Sequence, residues 1–90
     1  MLPPEIQSLR AEIDEIDSKI VDLLASRFRL TSHVGKLKAV HALEAVDPER
    51  EATQAVRFQE LARHSNLNPD LVLRVFRAVI DEVVKNHREA

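Results

Sequence analysis

Cysteine, tryptophan and tyrosine are absent from these 90 residues, and glycine occurs once. Without cysteine there are no disulfides and no thiolate metal sites, which fits a reducing compartment. Three Phe are the only aromatics, so the stacking platforms that bind single-stranded nucleic acid are missing. An excess of one sign of charge is missing too. The 13 basic and 15 acidic residues are interspersed, and a net charge of -2 creates no long-range field for nucleic acid or an anionic membrane. No apolar run approaches the ~20 residues of a membrane span, and Met1-Leu2-Pro3-Pro4-Glu5 has neither the basic nor the apolar segment of a signal peptide. The chain is therefore expected to be soluble and cytoplasmic. Any anionic partner has to be met locally, by a few placed cations.

What is present is helical punctuation. The four prolines stand at positions 3, 4, 48 and 69 and divide the chain into three predicted helices: about Pro4 to about His41, Pro48 to about Ser65, and Pro69 nearly to the end. Asp47-Pro48 and Asn68-Pro69 each set a capping side chain before a proline at the first helical position. No strand-type alternation or internal repeat stands out. The expected fold is all-α, one domain over residues 1–90. At 1.5 Å per residue the first helix would extend roughly 55 Å, twice either later helix, so those cannot cover it alone. Twofold dimers are the commonest assembly, and an intertwined helical homodimer is the expectation. The alternative on geometry is a single long hairpin within a monomer.

Charges interrupt the apolar faces. Leu9, Ile13, Ile16, Ile20, Leu23 and Leu24 fall within ~40° of one direction on the first helix, and the same stripe continues to Arg27, Thr31 and Lys38. Arg27 lies on its centre line. Lys38 follows eleven residues later, ~20° rotated and ~16 Å along the axis. A buried cation is costly unless paired, so the stripe calls for anions. An internal salt bridge or snorkelling would satisfy a lone Arg; two cations on one stripe favour a bound dianion. In the second helix Glu51 heads a stripe of Ala55, Phe58 and Ala62, although an N-terminal Glu also complements the helix dipole. In the third, Val72, Phe76, Val79 and Val83 form the stripe, Ile80 stands at its edge, and His87 lies one turn beyond Val83, where a terminal His is usually a cap or surface residue. Arg10 lies ~100° around the helix from Arg27 and cannot serve the same pocket in a straight helix, but it could reach a twofold mate. Gly35, at a helix-propensity cost of ~1 kcal/mol, marks a place where helices approach closely. His33, His41 and His64 show no convergent metal-ligand spacing and read as surface residues.

These features coincide with a resemblance spanning Leu9 to His87. It rests on Leu9-Arg10, Ile13 and Ile16-Asp17; on Leu23-Leu24-Ala25-Ser26-Arg27; on Val34-Gly35-Lys36-Leu37-Lys38; on Val46-Asp47-Pro48-Glu49-Arg50-Glu51; and on Val75-Phe76 with Ile80-Asp81-Glu82. In that order and spacing the chain resembles the all-helical (type II) chorismate mutases, and a short monofunctional form is expected. The resemblance implies a cofactor-free [3,3] rearrangement of chorismate to prephenate in aromatic amino-acid biosynthesis. It implies that Arg27 and a second subunit's Arg10 clamp the two substrate carboxylates. Lys38 would contact a carboxylate and the ether oxygen, and Glu51 would accept from the ring hydroxyl. Asp47 would help position that end, with Arg50 close to the carboxylates.

Two positions depart from the best-known bacterial pattern, in which a Ser and a Gln of the last helix face the substrate. Val83 removes a hydroxyl that would touch a carboxylate. His87 replaces the amide donor at the ether oxygen and would make the rate pH-dependent, with Asn86 one position away as its competitor. An isochorismate-pyruvate lyase shares the scaffold and the arginines, but the Asp47 and Glu51 pair resembles the mutases more. A non-catalytic helical dimerisation module would explain the apolar stripes and leave Arg27 and Lys38 unexplained. Because Lys38 and Glu51 interrupt apolar faces, replacing either by an apolar residue is expected to keep or raise stability.

Overall fold

The structure is a computed structural model and describes residues 1–89. It contains three helices, α1 (Pro4–Val40), α2 (Pro48–His64) and α3 (Pro69–Glu89), and no strand among the described residues. Each helix starts at a proline of the expected punctuation, and α1 and α2 end one residue before the expected His41 and Ser65. Asp47 accepts the Arg50 backbone N–H through Oδ1 at 3.0 Å, and Asn68 accepts that of Asp70 at 3.0 Å, so both caps take up amides that the helix leaves without intrahelical partners.

Both interhelical turns close in the same way. After α1 the Leu43 N–H reaches back to the Lys38 carbonyl at 2.8 Å, and after α2 the Leu67 N–H reaches the Ala62 carbonyl at 2.8 Å. Each motif turns on a residue in the left-handed region, Ala42 at φ 55° and Asn66 at φ 56°. Asn tolerates that conformation better than Ala, whose Cβ crowds the carbonyl.

The chain divides into two compact units, Met1–Thr31 and the remainder from Ser32. The first is a single stretch of α1. Its stripe residues Leu9, Ile13, Ile16, Ile20 and Leu23 are 50% to 70% exposed, and Leu24 is half-buried. The second unit holds the end of α1 and the α2–α3 hairpin. There Phe58 and Ala62 of α2 and Val79 and Ile80 of α3 are buried, and the Phe58 and Phe76 rings stack with centroids 4.0 Å apart. Ile80, expected at the edge of its stripe, is as buried as Val79. Burying a side chain such as Phe58 stabilises the hairpin by roughly 1.5–3 kcal/mol.

Gly35 is the buried residue of α1. A Cβ built on it would stand 2.6 Å from Cδ2 and 3.0 Å from Nε2 of His87, so the histidine ring occupies the space that any side chain would need. The close approach expected at this glycine is therefore present, and its neighbour is His87.

Candidate active site

Six of the eight residues singled out for substrate, Lys38, Asp47, Arg50, Glu51, Val83 and His87, belong to the second unit, and Arg10 and Arg27 to the first. Arg10 is exposed and Arg27 half-buried.

Lys38 stands in the last turn of α1, half-buried, where its ammonium donates to the Ala45 carbonyl at 3.0 Å. That bond ties the helix end to the connector carrying Asp47. An ammonium has three donors, so further acceptors can be served from the same position. Asp47 and Arg50 are exposed; the Asp47 carboxylate is engaged as the α2 cap and its carbonyl accepts the Glu51 N–H at 3.0 Å.

Glu51 is the half-buried carboxylate at the head of the α2 stripe, and it is paired within the chain. Its Oε1 accepts from Nη2 of Arg77 at 3.0 Å, while Nη1 of the same guanidinium donates to Asp81 at 3.3 Å. The hydrogen bond to Glu51, the Glu51 charge and Asp81 together hold the Arg77 guanidinium above its usual proton affinity, with slight burial opposing them. Thus the charges read from the sequence as interrupting apolar faces do have chain partners: a carbonyl for Lys38 and a guanidinium for Glu51. The sequence reading missed Arg77. Its i,i+4 spacing from Asp81 was visible, but the 26-residue jump to Glu51 depends on how α2 and α3 pack.

The pair stands between two open grooves of about 380 and 550 Å³. Ala55, Phe58, Phe76 and Ile80 line the first, and Val46, Asp81, Val84 and Lys85 the second, with Glu51 and Arg77 common to both. Lys38, Val83 and His87 lie outside both grooves. Val83 and His87 are half-buried on successive turns of α3, and Asn86 is exposed, so the register turns His87 rather than Asn86 inward. His33, His41 and His64 are exposed.

The family described as chorismate mutase type II matches residues 9–88. A protein named chorismate mutase from Methanocaldococcus jannaschii is 31% identical over 77 residues, covering 86% of this chain and 78% of that protein. The T-protein of Enterobacter agglomerans is 37% identical over 78 residues, 87% of this chain and 21% of its own length. A bifunctional chorismate mutase/prephenate dehydratase of Escherichia coli K12 is 31% identical over 77 residues, 86% of this chain and 20% of its own. The chain thus spans about a fifth of the T-protein and bifunctional relatives, and more than three quarters of the stand-alone mutase.

Proposed function

Because the chain belongs to the chorismate mutase type II family, we propose that it rearranges chorismate to prephenate, as a homodimer with sites shared between subunits. Within the chain, the observation that carries this reading is the pair of half-buried charges, Lys38 and Glu51, on helix faces that are otherwise apolar.

The chemistry needs little else. A unimolecular [3,3] rearrangement requires no nucleophile, proton relay or metal. Holding the flexible enolpyruvyl arm over the ring in a reactive conformer removes most of the entropic barrier. Donors aimed at the ether oxygen stabilise the charge that develops as the C–O bond breaks; removing one such donor costs on the order of 10²–10³ in kcat. In this reading Arg27 and a second copy's Arg10 hold the carboxylates, Lys38 and His87 serve the ether oxygen, and Glu51 accepts from the ring hydroxyl. Asp47 and Arg50 shape the end of the site that Glu51 serves, and Val83 contributes an apolar wall where a hydroxyl is usual. The exposed stripe from Leu9 to Leu23 supports a second copy, since isolated apolar faces of that extent mark interaction surfaces. No described helix is long and apolar enough to cross a membrane, and a cysteine-free chain fits the cytoplasm.

The deciding experiment incubates the pure protein with chorismate and, separately, with isochorismate. Prephenate from the first and no pyruvate release from the second is the expected result. Pyruvate from isochorismate without prephenate from chorismate would assign the lyase instead, and silence with both substrates would reject both activities.

A further inference from the structure

A carboxylate at the head of α2 has several torsions to settle before it can accept one hydrogen bond well. In this chain the freedom is removed from outside. The Arg77 guanidinium reaches across from α3 to hold Oε1 of Glu51 at 3.0 Å, and Asp81, one turn further along α3, holds the same guanidinium at 3.3 Å through its other terminal nitrogen. The result is a strut, Asp81 to Arg77 to Glu51, anchored on the helix whose Phe76 and Ile80 pack into the hairpin core.

We infer that Arg77 is a positioning residue for Glu51, fixing one carboxylate oxygen so that the other is presented to the substrate's ring hydroxyl. The inference rests on the reading of Glu51 given above. The strut's place at the surface fits this role better than a stabilising one. The Arg77 side chain is 56% exposed and that of Asp81 65%, against 22% for Glu51, so the guanidinium stays in contact with water, and pairs with such an exposed member add little to stability. The planar guanidinium is suited to the task, because it can serve two carboxylates from two nitrogens at once in a fixed fork. A lysine would supply the charge without that geometry.

The test measures kcat and KM for Arg77→Ala, Arg77→Lys, Glu51→Gln and the Arg77→Ala/Glu51→Gln double variant, with thermal melts on each. If Arg77 acts through Glu51, Arg77→Ala loses about tenfold, mainly in kcat, since small misplacements of a substrate-contacting group are felt in the rate. Its melting temperature stays close to wild type, and Arg77→Lys recovers part of the rate. In the Glu51→Gln background the same substitution then has no further effect. An analogue of chorismate lacking the ring hydroxyl provides a readout that a structural role would not move: with it, wild type and Arg77→Ala should turn over alike. If Glu51→Ala, added to the set because a glutamine keeps an acceptor oxygen, leaves full activity on chorismate, the assignment of Glu51 itself fails. If Glu51→Gln is impaired but Arg77→Ala matches or exceeds wild type, the strut is not a positioning device, and a gain would mean that it draws the carboxylate away from substrate. Equal Arg77→Ala losses with and without the ring hydroxyl would likewise overturn the proposal.

Discussion

The first 31 residues and the α2–α3 hairpin carry the same kind of apolar stripe and meet opposite fates. In the hairpin, Phe58, Ala62, Val79 and Ile80 are buried, whereas Leu9, Ile13, Ile16, Ile20 and Leu23 of α1 stay at least half exposed. Periodicity is thus a statement of demand, and it is met within the chain only where a short turn folds a second helix back. The hairpin has such a turn at Ser65 to Asn68; the first 31 residues have none. A second copy is the proposed cover for their stripe.

Ile16 stands in the middle of the exposed stripe. A charge placed there by Ile16→Glu would have to be buried in any apolar interface between copies, so the substitution should abolish the dimer in analytical ultracentrifugation and lower activity by about a hundredfold or more. A wild-type protein that sediments as a monomer, or a fully active Ile16→Glu, would mean that the stripe needs no cover. In the hairpin the expected loss is in folding rather than assembly. Phe58→Ala removes the ring stacked on Phe76 and should cost about 3–5 kcal/mol, read as a fall in denaturation midpoint that does not depend on protein concentration. Concentration dependence of that fall would show the two regions to be one cooperative structure.

A smaller effect is expected at Lys38. Read from the sequence, its charge is a burden on an apolar face, and Lys38→Met should leave stability unchanged or improved. Because the ammonium donates to the Ala45 carbonyl from a half-buried position, the substitution should instead cost about 1 kcal/mol, a melting shift of roughly 4–8 °C in a domain of this size. An unchanged or higher melting temperature would restore the first expectation.

The helices were legible because their signals are local: a proline at the first helical position, Asp47 and Asn68 before it, and a 3.6-residue stripe between. Inner faces were legible for the same reason, whereas the choice between His87 and Asn86 hung on the register of α3, which leaves Asn86 exposed and His87 half-buried. What could not be read was which charge meets which. The Lys38 bond to a backbone carbonyl seven residues on depends on the shape of a connector, and Glu51 finds Arg77 only because α2 and α3 pack at one particular register. Neither distance along the sequence nor residue type encodes such partners. Arg27 and Lys38 stand out because they violate a pattern, while Arg77, sitting where an exposed cation is ordinary, violates none.

The seating of the His87 ring on Gly35 couples the two positions genetically. Taken alone, Gly35→Ala should gain about 1 kcal/mol of helix propensity. With His87 in place the new methyl would meet Cδ2 at 2.6 Å, so the measured effect should be a loss. In a His87→Ala background the obstruction is gone, and the same change should stabilise. A substitution whose sign depends on a second site constrains the order in which a lineage or a directed-evolution campaign can travel: position 87 has to yield first. Melting curves of the two single variants and the double variant would show that reversal, and strictly additive shifts would show that the ring steps aside at no cost.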